Sequence, residues 1–361
     1  MSSRTGKIII ILSSFCLLFI LLMGCNRGRV VDDLQILSIM GFGLEDEAYK
    51  GTALYSDYTE QKQGKIHLLH GQAKNTRIIL EEINQQSPKP IEVGKLHMLI
   101  FSRNLAEDGI AHFIKTICRD PLINSNLIVA VSDEPVENIM TKEGSESLPD
   151  LLQNNFKSGN VPFSNLHLLL YDYYGEGRDV SIPFINLNQN GKVEVNRYAI
   201  FKKDRLSLVL NQKEMILYKI LKGESMKGQM EVEVRKGPQK GLTVLKSLSG
   251  KKIETIYQSG QKIKYRITLD GMVKEYPEWL NLRKKEDVKI LTKELEKNLM
   301  KDLSNLLSTF QDHGVDPLGA GDLVRTHSKR WNEAEFYENI YQQIEFDIDL
   351  RIQLQTSGIG E

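Results

Sequence analysis

Apolar residues follow two spacings along this chain, and the spacing changes near residue 230. Before that point, short apolar runs alternate with helix-period segments. Residues 33–41 concentrate Leu34, Ile36, Leu37, Ile39 and Met40, which predicts a buried strand. Residues 52–57 and 65–70 predict two more. In residues 75–86, Thr76, Ile79, Leu80 and Ile83 fall on one helical face, and Ser87-Pro88-Lys89-Pro90 stops the helix. A strand at 96–101, a helix at 104–117 closed by Pro121, a strand at 127–131 and a helix opening at 135–140 follow. Such alternation predicts a sheet layered with helices and mixed in strand direction.

A polar break at 144–149 leads into a second mixed segment. It predicts a helix near 148–155, strands at 193–201 and 206–209 and a helix at 213–221, before the linker Lys222-Gly223-Glu224-Ser225. From Glu231 the period becomes two. Ile263, Tyr265, Ile267 and Leu269 interleave with Lys264, Arg266, Thr268 and Asp270, the pattern of a sheet with one wet face. Residues 284–310 return to helical spacing, with Val288, Leu291, Leu295, Leu299, Leu303, Leu306 and Phe310 in one stripe. Ile344 to Leu354 alternate again and predict a long closing strand. The expected fold class is α+β. Its domains are an N-terminal α/β domain over 25–141, a middle mixed domain over 142–223, and a C-terminal domain over 224–361 with an antiparallel sheet on one long helix. Trp331 and Phe336 are expected as core anchors of the last domain; the alternative for them is a partner-binding role.

The N-terminus changes the picture of where this body works. Arg4 and Lys7 precede an apolar run from Ile8 to Leu22, broken only by Ser13 and Ser14. Fifteen residues fall short of the about 20 that a spanning helix needs, and match a signal-peptide core instead. The run ends in Leu22-Met23-Gly24-Cys25, which resembles a bacterial lipobox. Residues 1–24 are therefore expected as a lipoprotein signal peptide and Cys25 as the lipidated residue; an ordinary signal peptide or a poor membrane anchor are the plainer alternatives.

Composition adds mostly exclusions. The 361 residues carry 47 basic and 47 acidic side chains, so no bulk attraction to nucleic acid is expected. Losing Arg4 and Lys7 with the signal leaves a slight acidic excess. Cys16 leaves as well, and Cys118 remains as a lone thiol, so neither a disulfide framework nor a thiolate metal site is expected.

Candidate chemistry is thin. His67 and His70 are the close histidine pair, but on a strand an odd separation points them to opposite faces. Gly41-x-Gly43, Gly175-x-Gly177 and Gly319-x-Gly321 each lack the third glycine of a dinucleotide fingerprint and read as turns or linkers. Ser259-x-x-Lys262 lacks the partner motifs of penicillin-binding enzymes. His97 beside Lys95 reads as a structural residue. No catalytic residue, metal or cofactor is expected.

The order of several patches resembles a known family. After the lipobox come Asp32-Asp33-Leu34-Gln35-Ile36-Leu37-Ser38-Ile39-Met40-Gly41-Phe42-Gly43, then Gly94-Lys95-Leu96-His97-Met98-Leu99-Ile100-Phe101 and Arg119-Asp120-Pro121. Later stand Arg197-Tyr198-Ala199-Ile200-Phe201, Asp316-Pro317-Leu318-Gly319, Trp331-Asn332-Glu333-Ala334-Glu335-Phe336 and Thr356-Ser357-Gly358. Together they resemble the Ger(x)C family, the C subunits of spore germinant receptors, from Cys25 to Gly358. The chain departs from the family pattern at Asn26-Arg27, where a Trp-Asp-like pair is usual, and at Arg197, where Gly is usual. The resemblance implies three α+β domains in an elongated body and no enzymatic activity. It implies a lipoprotein on the outer face of the spore inner membrane, partnered by a membrane-embedded A subunit and a transporter-like B subunit. Direct nutrient binding by this subunit is left open. The competing reading is an extracytoplasmic solute-binding lipoprotein, which would favour two similar lobes around a cleft.

Overall fold

The computed structural model describes residues 34–57, 65–117, 120–142, 144–224, 226–257 and 260–355. Signal peptide, Cys25, Cys118 and Ser259 lie outside the described residues. Among the described residues no helix is long and apolar enough to cross a membrane.

Most of the N-terminal half builds one eight-stranded sheet. Strands β2 (Ile39–Glu45), β6 (Met98–Ser102), β7 (Ile128–Ser132) and β8 (Ser181–Leu187) run parallel side by side. Antiparallel neighbours extend the sheet on both sides. They are β3 (Ala48–Asp57) and β4 (Lys65–Ala73) beyond β2, and β9 (Val193–Lys202) and β10 (Arg205–Leu210) beyond β8. Strands β1 (Gln35–Ile36) and β5 (Ile91–Glu92) form a short parallel ladder apart from it. All five residues of β6 and of β7 are buried, as strands covered on both faces must be.

The two faces hold separate cores. Met40, Phe42, Leu99, Phe101, Val129 and Val131 meet helices α1 (Thr76–Gln86), α2 (Arg103–Asp108) and α3 (Ala111–Ile117). Ile39, Met98, Ile100, Ile128 and Ala130 meet α4 (Val136–Met140) and α5 (Leu148–Ser158). The helix expected at 104–117 is two helices. Gly109 breaks it at φ 134°, a conformation that a side chain resists, and the Ile110 N–H bonds the Asp204 carbonyl instead.

The sheet runs through the boundary expected at 141/142. Residues 142–223 contribute β8, β9, β10, α5, α6 (Leu166–Tyr174) and α7 (Gln212–Lys222), and place side chains in each of the three cores formed by the described residues. Strand β9 is shared. Ala199 and Phe201 belong to a core of the large sheet, while Tyr198 and Ile200 belong to the C-terminal core.

That third core lies between α7 and a four-stranded sheet of β11 (Gly228–Lys236), β12 (Gln239–Tyr257), β13 (Lys262–Glu275) and β14 (Glu345–Leu354), backed by α8 (Lys285–Asp312). Of the stripe expected from sequence, Leu291, Leu295, Leu299, Leu303, Leu306 and Phe310 of α8 are buried, and Val288 in its first turn is half-buried. Strands β11 to β13 are antiparallel. The closing strand β14 joins β13 in parallel, because the 28-residue helix α8 carries the chain back to the end where β13 began. Three ion pairs lock that register on the wet face: Lys262–Glu345, Lys264–Asp347 and Arg266–Asp349.

Helix side chains also occupy open strand edges. Gln86 bonds both the N–H and the C=O of His70, and Glu82 accepts from the Gln72 N–H on β4. On the C-terminal sheet, Asn298 donates to the Glu233 carbonyl and Glu296 accepts from the Ile352 N–H. Each contact removes a site where another chain's strand would add.

Truncation of Leu299, fully buried at the centre of the α8 stripe, should cost about 2–5 kcal/mol as Leu299→Ala. Leu242→Ala, at a side chain 58% exposed, should stay within about 0.5 kcal/mol. Guanidinium unfolding curves of the two variants would show the contrast, and equal losses would contradict the core assignment.

Candidate functional site

Two regions concentrate polar side chains, and the topology explains both. After β6 the chain passes to one face of the sheet as α2; after β7 it passes to the other as α4. Such a reversal opens a crevice at the carboxyl ends of the strands. A cleft of about 610 Å³ sits there, lined by residues 43–45, 102–104 and 133–138 among others. Ion pairs fill its walls. Arg103 spans Glu107 at 2.8 Å and Asp133 at 3.0 Å, and Arg197 meets the other Asp133 oxygen at 3.1 Å. Lys50 contacts Glu137 at 2.8 Å and Glu45 at 3.5 Å. The hydrogen bond and charge of Lys50 hold the Glu137 carboxyl below its ordinary range, and Glu137 in turn raises Lys50. These pairs are half-exposed and contribute little individually. They brace the cleft's rim and leave both of its strongest cations neutralised.

The second region joins the large sheet to the C-terminal part. Asp179, just before β8, and Asp316, between α8 and α9 (Ala320–His327), exchange bonds across 137 residues of sequence. The Asp316 N–H donates to Asp179 Oδ2 at 2.8 Å, and the Asp179 N–H donates to the Asp316 carbonyl at 2.9 Å. The Asp316 carboxylate then accepts the N–H groups of Ala320 at 2.8 Å and Gly321 at 2.7 Å, the first turn of α9. Tyr337 donates its hydroxyl to the same carboxylate at 3.3 Å. Lys202 of β9 donates to Asp179 at 3.2 Å while its ammonium sits 3.8 Å from the centre of the Tyr337 ring. Burial drives the Asp316 carboxyl up to about 7 against the pull of those amide bonds, and the Asp179 charge adds to the rise.

Close backbone approach completes the joint. A Cβ on Gly177 would strike the backbone of Gly321 and Asp322, and one on Gly321 would strike Gly177. The Asp322 N–H bonds the Gly177 carbonyl at 2.9 Å, and the Gly177 N–H donates to Glu333 at 2.8 Å. Two of the three Gly-x-Gly sequences read as turns or linkers are thus the two halves of one packing contact. The chemistry of this region is fixation: three elements are held by a fully buried carboxylate.

The other sequence candidates are scattered. His67 stacks on Tyr55 with ring centres 4.9 Å apart, while the His70 ring faces Thr52 at 3.4 Å. Among the described residues no group of three or more His, Cys, Asp or Glu is placed to hold a metal ion. His97 is exposed, and its backbone bonds the Ser38 carbonyl and the Ile128 N–H. Phe336 is buried; Trp331 is half-buried beside it, with ring centres 5.1 Å apart. Sequence reading passed over Asp179 and Tyr337, and gave Lys202 no role. The signal available was Asp316-Pro317-Leu318-Gly319, an acidic residue placed just ahead of a helix start.

Comparison with known proteins places this architecture in a class, the spore germination proteins. A model of the spore germination protein N-terminal domain matches residues 28–187, and one of the spore germination B3/GerAC-like C-terminal domain matches residues 196–358. The spore germination protein GerQC of Bacillus cereus is 25% identical over 359 residues, spanning 96% of this chain and 98% of that one. The chain belongs to the Ger(x)C family. Its fold is similar to the crystal structure of the GerBC protein, with a TM-score of 0.58 at 15% identity over 87% of this chain and 97% of that one.

The Asp316 carboxyl gives the joint a pH signature. Its folded value of about 7 lies above the ordinary 3.8, so folding takes up a proton between those limits. Its contribution to stability is full below about 4 and is lost as the pH rises through about 7. Asp316→Asn should flatten that part of the stability–pH curve. Thermal melts across that range would check it, and parallel curves for the two proteins would refute it.

Proposed function

We propose that this chain is the non-catalytic C subunit of a nutrient germinant receptor, held at the outer face of the spore inner membrane by a diacylglyceryl group on Cys25. Its partners in this reading are the receptor's A and B membrane subunits, with no cofactor and no nucleic acid. The observation that carries it is the family match across both halves of the chain, supported by a relative of nearly the same length. The Gly24-Cys25 junction after a fifteen-residue apolar run supports the anchor. Two acyl chains give stable attachment where one does not, so the anchor needs no spanning helix.

Anchoring also simplifies the recognition problem. A body confined near the bilayer meets membrane subunits at a raised effective concentration, so modest contacts suffice. The two joined sheets provide a stiff frame for such contacts.

The receptor reading is tested by tagging the chain at its C-terminus and purifying it from spore membranes. The A and B subunits should co-purify, and their absence from a cross-linked preparation would reject the assignment. Cys25→Ala should leave an uncut or mislocalised precursor and abolish recovery with the membrane. Mass spectrometry finding an unmodified Cys25 thiol in membrane-derived protein would reject the anchor.

A further inference from the structure

Strand β12 is 19 residues long and its neighbour β11 only 9. Gln239 to Ser247 pair with β11, while Ser249 to Tyr257 pair with β13 alone. Strand β14 covers the other side of β13. At this end of the C-terminal sheet, β12 is therefore an edge.

Two bonds fix which backbone groups face outward. The Glu345 N–H donates to the Gln261 carbonyl at 2.9 Å, and the Gln355 N–H to the Gly271 carbonyl at 2.8 Å. Odd-numbered residues of β13 thus turn their N–H and C=O groups toward β14, and even-numbered ones turn toward β12. There Lys264 faces Thr255 and Arg266 faces Ile253, which engages the odd-numbered residues of β12. Gly250, Lys252, Glu254 and Ile256 are left pointing their backbone groups away from the sheet. Among the described residues no hydrogen bond reaches those groups. Gly250, which has no side chain to expose, is itself exposed, as are Ser249, Lys251, Ile253, Glu254, Thr255 and Tyr257. Helix side chains cap the edges of β4 and β11, but none caps this run.

Such a run accepts another strand, and its own sequence selects which one. Antiparallel pairing of β12 with a second β12 brings outward groups together about a two-fold axis. Ile253 is the midpoint of the run, so the register centred on it uses every residue from Ser249 to Tyr257. Moving the axis to Lys252 would set two ammonium groups directly opposite, and moving it to Glu254 would do so with two carboxylates. The register centred on Ile253 sets Lys252 of each copy opposite Glu254 of the other. Lys252 and Glu254 already meet within one chain at 2.5 Å, so the four groups close a ring of alternating charge. On the wet face, Ile253, 43% exposed, meets its own copy, and Tyr257, 45% exposed, lies beside Ser249. Lys251 faces the Thr255 hydroxyl.

We propose that two copies of this chain join edge to edge through Ser249–Tyr257 of β12, continuing the C-terminal sheet across a two-fold axis at Ile253. The contact is small, and confinement of both copies near a bilayer raises their effective concentration for it. The pairing adds to the receptor reading without resting on it, since it is measured on the chain alone.

Cysteine cross-linking of the full chain in detergent micelles, in a Cys118→Ser background, would test it. Facing residues of a pair that exchanges no hydrogen bonds have Cα atoms about 4.5 Å apart, within disulfide reach. Ile253→Cys should therefore give a disulfide-linked dimer on mild oxidation. Leu242→Cys, 58% exposed on the same strand but beside β11, should stay largely monomeric, as should the parent without an added cysteine. In analytical ultracentrifugation, Lys252→Glu and Glu254→Lys should each weaken self-association by about tenfold, because each sets like charges opposite one another twice. The double exchange should restore it, which a misfolded chain could not do. Cross-linking of Ile253→Cys no faster than that of Leu242→Cys would overturn the proposal, as would a chain that stays monomeric at every concentration. Unchanged association in both single variants, or loss without recovery in the double one, would do the same. Capture of a different protein by Ile253→Cys in spore membranes would give the edge to that protein and reject the second copy.

Discussion

A fully buried carboxylate, that of Asp316, fixes how the large sheet and the C-terminal sheet meet. Its two oxygens take the first amides of α9 and the hydroxyl of Tyr337, and its backbone exchanges bonds with Asp179 at the start of β8. Removing such a group leaves several buried donors without acceptors, which costs more than the bonds themselves contribute. Glycine is required alongside it, because Gly177 and Gly321 let two backbones touch where any side chain would hold them apart. Ion pairing of Lys202 with Asp179, over the Tyr337 ring, ties β9 into the same knot.

The consequence is mechanical. Strand β9 packs Ala199 and Phe201 into one core and Tyr198 and Ile200 into another, so the large sheet and the C-terminal sheet share a strand's two faces. Tyr218 of α7 adds a bond to Ser181 of β8 and another to the Pro317 carbonyl. Lys219, almost fully buried, donates to the carbonyls of Gly159 and Lys227 and binds α5 to the entry of β11. The two family models divide the chain between residues 187 and 196, yet β8 and β9 on either side of that division pair within one sheet. The division is one of sequence description; the packing across it is continuous.

The same joint opens a cleft of about 280 Å³ beside it, lined by Tyr171, Asp172, Arg178, Lys222 and Asp322 among others. Arg178 lies next to Asp179 and is drawn to Asp322 by the approach of α9, which turns its guanidinium over Tyr171 and leaves Nε without an acceptor. Asp172, six residues earlier near the end of α6, lines the same cleft within the fields of Lys222 and Arg178.

Much of the fold was legible along the chain. The α8 stripe, the alternation of β13 and β14, and helix α1 with its Asn75 cap depend on spacing between near neighbours, which sequence displays directly. The lipobox-like end at Cys25 and the family patches are likewise local and ordered. Strand β8 escaped because Pro183 argues against a strand; it lies one residue outside the short β7–β8 ladder. Helix α6 escaped because Leu166 to Tyr174 is nearly apolar all round and shows no helical period. The parallel seating of β14, the meeting of Gly177 with Gly321 and the Asp179–Asp316 exchange were decided only by tertiary structure. Each depends on which distant segments come to lie side by side, and periodicity along a chain carries no information about that.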